Sequence, residues 1–244
     1  MRVCIYTAIA GGYDILKKPA VQVMPTDFYC FTDGMSAGLG IKNRFLEITR
    51  NSPKLGWGKW DILVDSTIKE CNPRMWAKWY KLHPHKLFPS SLCQNYYDYT
   101  IWVDGSAEIN SPNFSELVVN SIKSCDRACY KHPVRDCIYE ECVESVKMLK
   151  YKSQPLKDQV DFYKSCGYPV RNGLMACGVI GRRSSSKQNI FIDEKWWLEI
   201  NKWSIQDQLS LPYILWSENA SCDIIPGELY NNDYVKFMRH QRKT

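Results

Sequence analysis

The chain predicts an α/β fold with a mostly parallel central sheet flanked by helices. Two observations predict it. Short runs of β-branched and aromatic residues lack polar alternation, which suits strands covered on both faces. Between these runs lie segments with helical apolar spacing and capping residues near their starts. Strands alternating with helices are the pattern of crossover-connected parallel sheets. With 244 residues, 45% of them apolar and 24% charged, one large domain spanning 1–244 is the simplest account. No internal repeat or low-complexity linker divides it.

The elements follow in order. Residues 2–9 read as a first strand, and Ala10, Gly11, Gly12, Tyr13 and Asp14 as the loop after it. Residues 28–34 read as a second strand ending in a turn at Asp33 and Gly34. Residues 73–82 predict a helix, because Pro73 suits its first turn and Met75, Trp79 and Leu82 keep helical spacing. The most informative stretch is 99–108. Thr100, Ile101, Trp102 and Val103 form a strand, Asp104 stands where it emerges, and Gly105 turns the backbone. The carboxyl end of such a strand is where α/β sheets bind ligands. A carboxylate there can hold a divalent cation that in turn holds a diphosphate, or it can simply start a turn. Residues 113–124 predict a helix. So do residues 136–151, with Ile138, Cys142, Val146 and Leu149 on one face. A short helix at 159–166, a strand at 174–180 and helices at 196–202 and 206–216 complete the chain, with Ser204 placed to cap the last.

Composition narrows the function classes. The net charge is +6, but the basic residues are spread out, with only a mild concentration in Lys236, Arg239, Arg242 and Lys243. No motif of a nucleic-acid reader appears, so nucleic acid is not an expected partner. Nine Trp and fifteen Tyr supply core, and also flat faces of the kind that line sugar and nucleotide sites. The eleven Cys are scattered, as in a reducing compartment. Cys125, Cys129, Cys137 and Cys142, with His132 among them, match no zinc spacing. The N-terminus runs into a strand with no apolar leader, and no apolar run reaches the length of a membrane helix. These features point to a cytoplasmic protein.

Several further segments combine with Asp104. They are Tyr6, Thr7, Ala8 with Tyr13 and Asp14; Phe31, Thr32 and Asp33; Pro73 to Lys78; Pro84 to Pro89; Lys131 to Arg135 with Tyr139, Glu140 and Glu141; Asn172 to Ile180; and Trp203 to Gln208. In this order and spacing the chain resembles the GT-A glycosyltransferase-like domains found in plant mucilage-associated proteins, bacteria and large viruses. The resemblance runs from about residue 3 to residue 216. It implies a single Rossmann-like GT-A domain, with a nucleotide-binding half at about 1–110, an acceptor half at about 111–230 and a basic tail at 231–244. It implies a donor of the UDP- or GDP-sugar type and a saccharide or glycoprotein acceptor. Thr7, Ala8, Tyr13 and Asp33 would contact the nucleoside. Asp104 would stand first in an acidic motif holding Mn2+ or Mg2+. The third position is Ser106 instead of Asp, and a hydroxyl is a weaker ligand, so Glu108 or His240 would have to complete the site.

The remaining candidates each carry a plainer reading. Arg74, Lys78 and Lys81 fall along one side of a helix, as a diphosphate clamp or as a solvated face. His83 and His85 suit packing better than a metal. His132 and Arg135 would grip a phosphate or acidic sugar, or anchor a loop. Glu140 and Glu141 point about 100° apart on a helix and cannot act as a pair on one substrate. Asn172 and Gly173 would approach the sugar, or make a turn. Asp207 and Gln208 would face the acceptor, with Asp207 as general base if the enzyme inverts. Otherwise Asp207 is a first-turn carboxylate favoured by the helix dipole. Trp196, Trp197 and Trp203 would stack on a sugar or fill the core. Rival readings are a nucleotidyltransferase of similar fold, for which Ala10, Gly11 and Gly12 make too short a phosphate loop, and a non-catalytic carbohydrate-binding module.

Overall fold

The computed structural model describes residues 1–33, 45–46, 60–65, 72–88 and 97–240. Gly34, Pro89, Arg242 and Lys243, named above, lie outside the described residues. In chain order the elements are β1 (Val3–Ile9), β2 (Thr26–Thr32), β3 (Phe45–Leu46), β4 (Asp61–Val64), α1 (Pro73–Leu82), α2 (Pro84–Leu87), β5 (Tyr99–Val103) and β6 (Ala107–Ile109). Next come α3 (Phe114–Ser121), β7 (Arg127–Lys131), α4 (Ile138–Ser145), α5 (Leu156–Ser165), β8 (Met175–Arg183), α6 (Lys187–Lys202), α7 (Asp207–Ser217), β9 (Asp223–Ile225) and β10 (Val235–Phe237).

Among the described residues, eight strands form one sheet in the order β3-β4-β2-β1-β5-β8-β7-β9, and β10 pairs with β6. β1 runs parallel to β2 and to β5, and β4 runs parallel to β2 and β3. β8 is antiparallel to both its neighbours, β5 and β7. The mostly parallel, Rossmann-like sheet expected from the sequence is therefore present. The chain leaves β1 toward β2 on one side and returns to β5 on the other. That reversal is a topological switch point, and it opens a crevice at the carboxyl ends of β1 and β5.

Every residue of β1 and of β5 is buried, which explains their unbroken apolar runs. Val3, Ile5 and Ile9 pack toward Phe114 and Val118 of α3. Cys4, Tyr6 and Ala8 pack the other way, among Trp76 and Tyr80 of α1, Trp196 of α6 and Leu211 of α7. A third cluster joins Ile138 and Cys142 of α4 to Leu156 and Tyr163 of α5 and Leu209 of α7.

Several elements differ from the sequence reading, three of them instructively. The helix expected over 136–151 stops at Ser145, and Leu149 is 88% exposed in a short 3₁₀ turn, Leu149–Tyr151. The chain leaves the helix after Ser145 and Leu149 turns to solvent, while Tyr151 returns to the cluster of Ile138 and Cys142 and donates to Gln206 at 2.6 Å. α6 begins at Lys187, well before residue 196, and Ser186 caps it by accepting from the Asn189 amide at 3.1 Å. β7 was hidden by Arg127, a charged residue in a buried strand. Its guanidinium is neutralised by Asp193 at 2.7 Å, a partner 66 residues away.

Candidate functional site

The ends of β1 and β5 open into a cavity of about 180 Å³. Ala8, Ile9 and Ala10 line it from β1, and Asp104, Gly105 and Ser106 from the turn after β5. A Cβ on Gly105 would lie 2.7 Å from Ile9 Cγ1, so the turn can lie against the end of β1 only with glycine there. Tyr13 and Asp14 close one side; α1 supplies Arg74, Lys78 and Lys81; Lys150, Tyr151, Ile205 and His240 come from far along the chain.

Helix α1 is fixed at both ends. At its start Pro73 occupies the first turn, and the Asn72 side chain accepts from the Arg74 amide at 2.9 Å. Near its end the Lys81 carbonyl accepts from the Tyr6 hydroxyl at 3.0 Å and from Arg182 at 3.2 Å. Arg182 is itself held by Asp193 at 2.8 Å, and the Trp79 carbonyl lies 2.7 Å from His83 Nδ1. These contacts occupy carbonyls that a helix end leaves without partners. The rotation of α1 is thereby set, and Lys78 and Lys81 face the cavity.

Lys81 is 1% exposed, and its ammonium lies between two carboxylates, 2.7 Å from Asp207 Oδ2 and 3.3 Å from Asp104 Oδ1. Asp104 Oδ1 also accepts from Trp102 Nε1 at 2.7 Å. Lys78 donates to the same Asp207 oxygen. Burial opposes the charge of Lys81, but Asp104 and Asp207 outweigh it and raise the group above its ordinary range. Burial also opposes ionisation of Asp207, yet Lys78 and Lys81 outweigh it and hold the carboxyl below the usual range. Lys78 is lowered, by burial first, with Lys81 adding to the effect. Desolvation lowers Lys150, and the positive charges of Lys78 and Arg74 lower it further. Among the described residues neither Arg74 nor Lys150 has a carboxylate partner. Arg74 instead donates to the Lys150 carbonyl at 2.9 Å and lies 5.0 Å from the Tyr13 ring centre.

A divalent cation was expected at Asp104, Ser106 and His240, and all three line this cavity. Asp104 Oδ2 has no hydrogen-bond partner among the described residues. His240 Nδ1 lies 3.0 Å from Asp14 Oδ1, which orients the ring, and among the described residues its Nε2 has no hydrogen-bond partner, as in many carboxylate–histidine–metal sets. Glu108 stands opposite Lys236 in the β6–β10 pair. Among the described residues no three His, Cys, Asp or Glu side chains converge closely enough to hold a metal by themselves. A cation there would need further oxygens from a bound substrate, as Mg2+ commonly takes from phosphates.

The other candidates are placed as follows. Thr7 is buried next to the lining residue Ala8, and Asp33 accepts from the Gly11 amide at 2.6 Å, bracing the loop that carries Tyr13. His132 and Arg135 do not line the cavity. Arg135 Nε donates to buried Glu141 at 2.6 Å, and His132 Nδ1 accepts from the Arg135 amide at 3.0 Å, so they anchor a loop. Asn172 donates to the Tyr168 hydroxyl at 3.4 Å and the Gly173 amide to the Asp136 carbonyl at 3.0 Å, also away from the cavity. Gln208 is half-buried in the first turn of α7 and is not a lining residue. Ser204 does not cap α7: Gln206 holds that position, and the Ser204 hydroxyl donates to Gln159. Of the three tryptophans, Trp196 takes the core reading. Trp196 is fully buried, donating to Ser210 Oγ at 2.8 Å, and Trp203 packs on Phe162. Lys150 and Tyr151 were missed, and Asp14 was named with Tyr13 but given no role. Asp14 carried a usable signal, since it follows the first strand, whereas Lys150 and Tyr151 sat in an expected helix and carried none.

Among the described residues no helix is long and apolar enough to cross a membrane. A family model described as TOD1/MUCI70, glycosyltransferase-like domain, matches residues 1–238. No curated protein matches the chain.

Proposed function

The chain belongs to the TOD1/MUCI70 glycosyltransferase-like domain family, and from that membership we propose that it moves a sugar from a UDP- or GDP-type nucleotide sugar to a saccharide or glycoprotein acceptor. One observation carries the reading furthest. Four cations, Arg74, Lys78, Lys81 and Lys150, line one cavity at the switch point of a mostly parallel sheet, and two of them lack a carboxylate partner among the described residues. A nucleoside diphosphate is the anion such a site suits.

In the reaction the bond between the anomeric carbon and the diphosphate oxygen breaks, and the diphosphate leaves with the electron pair. A bond forms from an acceptor hydroxyl oxygen to that carbon, and the hydroxyl proton passes to a base. Negative charge grows on the diphosphate as it leaves, so fixed cations stabilise the transition state more than the ground state. Lys81 is pre-aimed by its two carboxylates and by the anchored end of α1. Tyr13, with Thr7, Ala8 and Asp33 behind it, would receive the nucleoside. Asp104 and His240, with Ser106, would hold Mn2+ or Mg2+, which when bound would neutralise part of the diphosphate charge. Residues 1–110 would then supply most of the lining, Lys150, Tyr151 and Ile205 would come from the acceptor half at about 111–230 and His240 from the tail, with Asp207 reaching Lys78 and Lys81 from outside the lining.

Asp207 has two roles open to it. Its ionised form is ready to take a proton, which suits the base. Its tight hold by two ammoniums lowers its basicity, which favours steering the lysines. Calorimetric titration with UDP and GDP, with and without Mn2+, tests the whole reading. Binding of at least one nucleotide is expected, and no binding under any condition overturns it.

A further inference from the structure

A turn near the C-terminus presents an aromatic ring to solvent beside this cavity. Tyr230 is 69% exposed, yet the loop that carries it is tightly built. Its neighbour Leu229 is 2% exposed and part of the main core. Asn232 ties the loop together: its Nδ2 donates to the Glu228 carbonyl at 2.7 Å and the Leu229 carbonyl at 3.0 Å. Its Oδ1 accepts from the amides of Tyr234 and Val235, each at 2.9 Å. A bridge between Glu228 and Asn231 closes the tip. The position of Tyr230 is therefore fixed by the backbone.

The ring does not stand alone. It meets Phe237 edge to face, with centres 5.7 Å apart at 84°. Phe237 lies on β10 opposite Ala107, the residue after Ser106. It fits there because residue 178 is glycine. The point where a Gly178 Cβ would sit is 2.8 Å from the Phe237 ring and 3.6 Å from Asp104 Oδ2. The carboxylate of Asp104 thus divides two surroundings. Oδ1 faces Trp102 and Lys81, whereas Oδ2 lies near Gly178, the residue on which the Phe237 ring is seated.

From this arrangement we infer that Tyr230 and Phe237 form a stacking platform for a pyranose ring of a saccharide acceptor. The inference rests on the glycosyltransferase reading above and adds the acceptor's chemistry to it. A pyranose has one face of C–H groups and an edge of hydroxyls. The C–H face packs on an aromatic ring, and the hydroxyls need polar neighbours. Glu228, Asn231 and Asp233, all exposed on the same loop, supply carboxylates and an amide around Tyr230. The platform is assigned to the acceptor because Phe237 is seated at Gly178, which neighbours Asp104 Oδ2, whereas Lys81 holds Asp104 Oδ1. A donor sugar is tethered to its diphosphate on the lysine side, whereas the aromatic step opens to solvent.

The test is saturation-transfer NMR with a panel of plain disaccharides (xylobiose, cellobiose, mannobiose, galactobiose and chitobiose) in the presence of UDP. Wild type, Tyr230→Ala and Tyr230→Trp are compared. At least one disaccharide should bind wild type, Tyr230→Ala should weaken it roughly 3- to 10-fold, and Tyr230→Trp should restore it. The melting temperature of Tyr230→Ala reports whether the loop survives; loss of binding is expected without loss of fold. Binding of none of the disaccharides, or equal binding by Tyr230→Ala, overturns the platform. Parallel calorimetry of UDP and GDP on the wild type separates the two claims. Nucleotide binding without a Tyr230 effect removes the platform alone, whereas absence of nucleotide binding removes the glycosyltransferase reading as well.

Discussion

Asp207→Asn is the most searching perturbation of the site, because it removes one charge from a carboxylate shared by two ammoniums. Asp207 is 4% exposed, and Lys81 lies 2.7 Å from its Oδ2. At an effective dielectric of about 20, a pair at that separation attracts by about 6 kcal/mol before desolvation is counted. Removing one partner of a buried pair typically costs about 3–5 kcal/mol. Two features favour the lower end. Lys81 keeps Asp104 at 3.3 Å, and the Lys78 side chain is 19% exposed and can turn toward water. A loss of about 3 kcal/mol corresponds to a melting temperature roughly 6–12 °C lower for a chain of this size. A first-turn carboxylate serving only the helix dipole would predict a loss of about 0.3–1 kcal/mol. The same substitution frees both lysines from an internal competitor. UDP or GDP affinity, measured by calorimetry at fixed ionic strength, should therefore rise by about an order of magnitude, while turnover falls about 100- to 10,000-fold if Asp207 takes the proton. A folded variant whose nucleotide affinity is unchanged or weaker would refute the idea that Lys78 and Lys81 are the anion clamp.

Other expectations follow from the same contacts. Asp104→Asn keeps an acceptor for Trp102 Nε1 and should melt close to wild type, while turnover drops by about two orders of magnitude, roughly 3 kcal/mol; normal activity with an unchanged Mn2+ response would remove Asp104 from the site. Asp193→Asn leaves Arg127 and Arg182 buried with no counter-charge and should cost about 3–5 kcal/mol in urea denaturation; a loss under 1 kcal/mol would show that the arginines find water or other partners. Partial burial opposes ionisation of Asp223, but the amides of Cys125 and Lys123 and the Ser124 hydroxyl outweigh it and hold the carboxyl below the usual carboxylate range. Its contribution is present above the unfolded value near ~3.9 and is lost as pH falls through the lower folded value. Asp223→Asn should accordingly be less stable by about 1 kcal/mol at neutral pH and converge on wild type in strong acid, as followed by circular dichroism.

Much of the fold was legible because its signals are local. The continuous burial of β1 and β5 leaves an apolar run that sequence alone displays, and α1 spans the residues expected from Pro73 and its apolar spacing. The order of these elements also placed Asp104 at a strand end, Arg74, Lys78 and Lys81 along one helix side, and the chain within its family. What the sequence could not display were pairings between distant residues. Arg127 sits in a buried strand only because Asp193 neutralises it. Arg135 and His132 were spent on Glu141, and Trp196 on the core. Asp14 became the partner of His240, 226 residues later in the chain. The site shows the same division. Residue types announced that cations and carboxylates were available, but whether a given Lys faces solvent, a carboxylate or a cavity depends on charges brought close by folding. A buried charge is stable only beside its counter-charge. The tertiary structure therefore decided which charges were already committed to one another, and which, like Arg74 and Lys150, line the cavity without a carboxylate partner among the described residues.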